Sequence, residues 1–367
     1  MEPPTHPQYI TKEYRKGMEN QIVELLNKGF NGWPKIDINC SPKEYWRWKY
    51  LDNPTGIINM HVVLDQDKMI CCDHGQPRRI KIDDKIRTCA CRGDLTVDQD
   101  YRGKGVWSFS NDYATYTEKR DKFELVYYLT GNEKIIKRMS KIRPRFPRRL
   151  ANWFKLEDFD KHVEHMPIER EWLVKAGFNV LKALNTKKNS ELDCDTEIRE
   201  ITEFGSKFHD FWESIKNEYK FILERTPAYL NWRYTDPRPG KHTIYAAIKD
   251  NEIIGYIVLR INNFIKDYPI GYIVDLLTID NSVSHALVEQ AVEYFEKNQI
   301  NLVNCLMVNG SKYDRSLRQN GFIDSRLPIH IFYQNNTIED LFLGVTPRQL
   351  HFTWGDHDSL PHGISRT

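Results

Sequence analysis

The chain repeats itself, and an internal repeat restricts the possible folds more than any single motif does. Trp48-Lys49-Tyr50-Leu51-Asp52, followed by Gly56, aligns without a gap on Trp232-Arg233-Tyr234-Thr235-Asp236, followed by Gly240. In the same register, Met60-His61-Val62-Val63-Leu64 falls on Ile244-Tyr245-Ala246-Ala247-Ile248 and Met69-Ile70 on Ile253-Ile254, all at an offset of 184 residues. Leu95-Thr96-Val97 then resembles Leu277-Thr278-Ile279 at nearly the same offset. Matches in this order predict a duplicated domain, and 367 residues suit two domains of ordinary size.

Bulk properties narrow the class of partner. The 53 basic and 51 acidic residues nearly cancel, which points away from nucleic acid and leaves a small-molecule ligand open. No apolar run approaches the roughly 20 residues that span a bilayer, and the Pro-rich start lacks the basic and apolar regions of a signal peptide, so a cytoplasmic protein is expected. The 7 cysteines are odd in number and scattered, which predicts reduced thiols. Cys71-Cys72 and Cys89-Ala90-Cys91 are spaced too tightly for a typical zinc site and fall in strand-like runs, so no metal is expected.

Periodicity predicts a helix over 17–28 and a second beginning at Ser41-Pro42 and ending before Asn53-Pro54. Met60 to Leu64 and Lys68 to Cys72 flank Asp65-Gln66-Asp67 as a hairpin, and Arg78 to Ile82 faces Lys85 to Cys91 across Asp83-Asp84. Asp94-Leu95-Thr96-Val97 is a strand leading into Arg102-Gly103-Lys104-Gly105. Val106, Phe109, Tyr113 and Tyr116 then follow helical spacing, Phe123 to Leu129 reads as a strand and Lys134 to Ile142 as a helix. Trp153-Phe154-Lys155-Leu156 is expected to close the first sheet. Domain boundaries follow at 1–156, a charged helical connection at 157–194 with a helix around Ile168 to Leu184, a second domain at 195–335 and a tail at 336–367.

The strand, turn and helix around Gly103 and Gly105 predict a pyrophosphate-holding site. Backbone N–H groups at a helix start converge on an anion with a favourable dipole, and glycines permit the unusual dihedrals and the close approach of the ligand. Arg102 and Lys104 add charge.

The stretch from Gly93 to Val106 resembles the coenzyme A motif of the Gcn5-related N-acetyltransferases, with the motif's basic residue at Arg102, its glycine at Gly105 and its small last position at Trp107. The resemblance implies an α+β fold with two tandem domains, each a mixed, mostly antiparallel twisted sheet flanked by helices. It implies acetyl-CoA as cosubstrate, held by Leu95, Thr96, Val97, Arg102, Gly103, Lys104, Gly105, Val106, Trp107 and Asn132. The corresponding segment of the second half, Asp280-Asn281-Ser282-Val283-Ser284-His285, has neither glycine nor Lys or Arg, and is expected not to bind coenzyme A in the usual way.

Transfer to an amine needs a proton acceptor, an N–H for the oxyanion and a proton for the departing thiolate. Asp94 is the candidate base, directly or through water, beside the alternative of a strand-end carboxylate bonded to the turn. The helix after Phe123 to Leu129 lacks the tyrosine that the family often uses as acid, leaving Tyr127 or Tyr128 as substitutes. Trp46, Trp48, Tyr50, Trp232 and Tyr234 read as helix-packing aromatics at equivalent positions, with an acceptor pocket as the alternative. Trp354-Gly355-Asp356-His357-Asp358 reads as a solvated turn, with a segment reaching over a substrate pocket or binding a cation as the alternatives. The activity expected is N-acetyl transfer to a small primary amine, such as an amino sugar or amino-acid derivative. The rivals are a non-catalytic coenzyme A binder or scaffold and an aminoacyl-tRNA-dependent transferase.

Overall fold

A computed structural model describes residues 2–165, 195–336 and 341–357. The helix expected around Ile168 to Leu184 and the following Asn185 to Ser190 lie outside the described residues, as does Asp358.

The first half runs β1 (Tyr9–Glu13), α1 (Glu19–Phe30), α2 (Pro42–Tyr50), β2 (Asn59–Asp65), β3 (Lys68–Ile82), β4 (Lys85–Val97), α3 (Val106–Arg120), β5 (Leu125–Thr130), α4 (Glu133–Met139), β6 (Leu150–Leu156) and α5 (Phe159–His165). The second runs β7 (Thr196–Ile201), α6 (Lys207–Ile215), β8 (Phe221–Leu223), α7 (Pro227–Tyr234), β9 (Thr243–Lys249), β10 (Glu252–Asn262), β11 (Ile270–Thr278), α8 (Asn281–Lys297), β12 (Leu302–Val308), α9 (Asp314–Gln319), β13 (Ile323–Asp324) and β14 (His330–Asn335).

Local chemistry accounts for the element ends. Ser41 and Glu44 form a reciprocal capping box at the start of α2, with Pro42 in its first turn. The β9–β10 hairpin turns on Asp250 and Asn251, at φ 50° and 66°, the short polar residues that tolerate left-handed backbone. β3 is longer than expected, one strand where two were read. Its Pro77 is tolerated because β2 pairs only as far as Gly75 and β8 begins at Ile80, so the missing N–H falls in a gap of the ladder.

The strands form two mixed sheets, in the orders β1-β2-β3-β4-β5-β14, with β8 added to β3, and β13-β6-β12-β11-β10-β9-β7. β4 with β5 and β11 with β12 are the parallel neighbours. The expectation that Trp153 to Leu156 closes the first sheet is corrected, because β6 pairs antiparallel with β12 of the second sheet. In exchange, β14 from the second half pairs with β5 of the first. Each half therefore completes the other's sheet, and the chain cut at 156 divides neither sheet cleanly.

Alternating side chains split the interior into layers. Val63, Ile70, Cys71 and Val97 pack with Val106 and Phe109 of α3 on the outer face of the first sheet. Ile257, Leu259 and Ile273 pack with Leu287 and Ala291 of α8 on the outer face of the second. Between the sheets lies one shared core holding Leu26, Trp48, Phe211, Trp232 and Trp354. Trp48 and Trp232 meet there about a pseudo-twofold relation. Each indole N–H donates to the other's backbone carbonyl, at 3.0 and 3.1 Å, and the rings stack 5.1 Å apart. The sequence offset of 184 is thus also a contact in space.

Candidate functional site

β4 and β5 run side by side only from Cys89 opposite Leu125 to Cys91 opposite Tyr127. Beyond that point β4 stays with β3 while β5 continues against β14, so the two strands part. Past Cys91 the β5-facing edge of β4 has no strand partner among the described residues, so backbone amide and carbonyl groups there lie outside any ladder and can pair with an extended chain. Gly93, Asp94 and Leu95 on one arm, and Tyr128, Leu129 and Thr130 on the other, are half-buried along this opening. Thr96 and Val97 are buried; Thr96 pairs with Cys72, and its side chain is pressed against Gly29 of α1.

The glycine turn stands at the end of the β4 arm. Gly103 and Gly105 adopt φ 79° and 83°, and a Cβ at either would meet open space. Gly105 is the N-cap of α3 and no side chain caps that end, so the first-turn amides point outward without a side-chain acceptor. Arg102 and Lys104 are exposed beside them, the Arg102 Nε donating to the Val97 carbonyl at 3.4 Å. Val106 is buried beneath the helix, whereas Trp107 is half-exposed and carries the Arg138 guanidinium 3.5 Å above its ring centre. Asn132 caps α4, accepting from the Lys134 and Ile135 amides.

Asp94 sits in a β-bulge opposite Asp73, at φ 47°. Its carboxylate is held by three donors, the Trp33 indole on Oδ1 at 2.9 Å, and the Lys49 ammonium and Tyr50 hydroxyl on Oδ2 at 2.6 and 2.7 Å. The second half repeats part of this arrangement. Leu277 faces Tyr256 as Thr96 faces Cys72, which makes Asp275 the ladder equivalent of Asp94, one residue off the sequence alignment. There Tyr234, the counterpart of Tyr50, donates to Asp275 at 3.1 Å.

The two tyrosines of β5 face opposite ways. Tyr127 points into the shared core and donates to the Asp356 carbonyl at 2.7 Å, its hydroxyl pushed well above the ordinary range by burial. Tyr128 lies on the α3 side, stacked on Phe332, with a buried hydroxyl that has no hydrogen-bond partner among the described residues. Burial raises its pKa as well.

Sequence reasoning missed the tail. Trp354, Asp356 and His357 are not a solvated turn but are buried between the sheets. Arg78 and Arg233 donate to the His357 carbonyl, and Arg225 bridges Asp275 and Asp356 at 2.9 and 2.7 Å, all three arginines being buried. Lys49 and Trp33 were also missed as partners of Asp94; the only signal available was the Tyr50–Tyr234 repeat. The six described cysteines are free thiols, and no three His, Cys, Asp or Glu side chains converge as a metal site among the described residues. No described helix is long and apolar enough to cross a membrane.

The first turn of α8 differs from that of α3. Asp280 caps it by accepting from the Val283 amide at 2.9 Å, so a carboxylate already lies where the glycine turn leaves α3 open.

Solved structures share this architecture. A probable N-acyltransferase from Enterococcus faecalis V583, described as a conserved protein of unknown function, superposes at TM-score 0.60 with 11% identity over 89% of this chain and 72% of its own. N-myristoyltransferase from Saccharomyces cerevisiae, solved with bound myristoyl-CoA, gives 0.58 with 13% identity over 90% and 80%. A GCN5-related N-acetyltransferase from Anabaena variabilis ATCC 29413 gives 0.60 with 11% identity over 89% and 73%. No protein-family model and no curated protein matches the sequence. The fold is that of the Gcn5-related N-acetyltransferases in a tandem arrangement.

Proposed function

We propose that the chain is an N-acyltransferase that moves an acetyl group from acetyl-CoA to a primary amine of a small molecule, such as an amino sugar or amino-acid derivative. The observation that carries this reading is the uncapped α3 terminus behind Gly103 and Gly105, placed where β4 and β5 part. The diphosphate is held by the first-turn amides with Arg102 and Lys104. The pantetheine amides pair along the β5-facing edge of β4 at Leu95 and Val97, competing with Arg102 for the Val97 carbonyl, and the thioester reaches the bulge at Asp94. The acyl-CoA thioester bound by the yeast neighbour supports the donor class. Isothermal titration of the purified chain with acetyl-CoA tests the reading, and absence of binding sinks it.

Asp94 is assigned as proton acceptor through water. Its Oδ1 has the Trp33 indole as hydrogen-bond donor and keeps a second lone pair, whereas Oδ2 is occupied by Lys49 and Tyr50. A structural reading has its own support, because the Tyr–Asp pair recurs at Tyr234 and Asp275 in the half without the glycine turn. Asp94→Asn separates the two. Loss of kcat by roughly 100-fold with the acidic limb of the pH profile abolished assigns a base. Lowered stability with kcat nearly unchanged assigns a strand fixture.

A further inference from the structure

Trp107 occupies a position where the motif resembled by this segment carries a small residue, and the structure gives the indole a partner. The Arg138 guanidinium lies 3.5 Å from its ring centre, a face-on contact that fixes the plane of a long, exposed cation. No carboxylate lies within ion-pair distance of Arg138 among the described residues. Its neighbours add to the charge. Lys134 precedes it by one helical turn and Lys137 adjoins it, both exposed, and the contact with Trp107 ties Arg138 to the first turn of α3, two residues past Gly105. Like charges at helical spacing repel, by a few tenths of a kcal/mol per pair in isolated helices, and an anion relieves them.

A diphosphate on the glycine turn satisfies the α3 amides, which leaves Arg138, held on the Trp107 ring in the same first turn, as a separate donor. A guanidinium held flat on an indole presents its N–H edge outward, the geometry for two parallel hydrogen bonds to one phosphate. A phosphomonoester carries nearly two charges at neutral pH and has three acceptor oxygens. Resting on the proposed acyl-CoA reading, we infer that the Trp107–Arg138 pair is a clamp for the 3′-phosphate of the coenzyme's ribose. It selects coenzyme A over its 3′-dephospho form.

Titration calorimetry with acetyl-CoA and acetyl-3′-dephospho-CoA, on the full chain and on Arg138→Gln, tests this. The wild type is expected to bind acetyl-CoA about 10- to 100-fold more tightly than the dephospho form, the range of one or two charge-assisted bonds. Arg138→Gln is expected to weaken acetyl-CoA by that factor and leave the dephospho ligand unchanged. Arg138 is exposed, so the variant folds, and its thermal melting temperature is expected to match the wild type. Trp107→Leu, which frees the guanidinium without removing it, is expected to lose part of the discrimination. Equal wild-type affinities, or an equal loss for both ligands in Arg138→Gln, overturns the clamp while leaving the acyl-CoA reading intact. Failure of the wild type to bind either ligand overturns both.

Discussion

Glu118 is a buried carboxyl in α3, only 1% exposed to solvent. It projects from α3 toward the sheet, and neither carboxylate oxygen has a hydrogen-bond donor among the described residues. Arg92 is 3.7 Å away and is itself bonded to Asp73. Burial pushes the Glu118 carboxyl from its ordinary 4.5 up to about 7, Arg92 pulling it down and Asp73 pushing it further up. Below about pH 4 the group is neutral in both folded and unfolded chains and costs nothing. As pH rises toward 7 the unfolded chain ionises first, so stability is lost through this window and levels off above it. The full shift corresponds to an upper limit of roughly 3 kcal/mol.

Glu118→Gln keeps the shape and cannot ionise. Urea unfolding followed by tryptophan fluorescence at pH 5, 6.5 and 8 is expected to show the variant gaining on the wild type by about 3 kcal/mol at the highest pH and by less than about 1 kcal/mol at the lowest. The difference between the proteins is the quantity to read. Buried histidines such as His61, held down to about 4 by burial, raise the stability of both proteins between pH 4 and 6.5 and mask the carboxyl in either curve alone. A difference that does not change with pH refutes the reasoning.

Removal of Asp275 takes the acceptor of Tyr234 and Tyr256 and one of the two carboxylates of Arg225 at once, so Asp275→Ala is expected to lose about 3–5 kcal/mol in the same urea assay. Burial pushes the Asp275 carboxyl up, but Arg225 and His351 outweigh it and hold it below the ordinary range, so its contribution persists above about pH 4 and fades as the pH falls further. Gly105→Ala places a side chain at φ 83°, which is expected to cost about 1–2 kcal/mol in thermal unfolding. The added Cβ faces open space in the protein, so a loss of acetyl-CoA affinity of roughly 10-fold or more, measured by calorimetry, reports on the ligand.

The features legible in the sequence were those whose causes are local. Ser41-Pro42 announced a capped helix because the cap is made within four residues, and Gly103 and Gly105 announced left-handed backbone because few other residues adopt it cheaply. The exchange of β6 and β14 was not legible. Alternation in Trp153-Phe154-Lys155-Leu156 says that a strand forms, not which sheet receives it, and its partner Leu302 to Val308 lies about 150 residues away. The burial of Trp354 to His357 was hidden for the same reason. Polar residues in a short segment look solvated until Arg78, Arg225 and Arg233, from distant parts of the chain, are seen to converge on them.

The two halves follow one plan and differ in the first turn of the helix that follows β4 in one half and β11 in the other. In α3 the cap is a glycine without a side chain, and the end of the helix keeps its partial positive charge uncompensated by any capping side chain. In α8 the cap is Asp280, whose carboxylate neutralises that charge and occupies the amide an anion needs. The second half also fills its ladder position equivalent to Asp94 with Asp275, committed to a buried cation that pins the tail between the sheets. The same tyrosine and aspartate therefore close the second copy and leave the first half-buried along an opening. With β6 and β14 exchanged between sheets, each half supplies the strand that flanks the other's parallel pair, so neither sheet is complete without both halves.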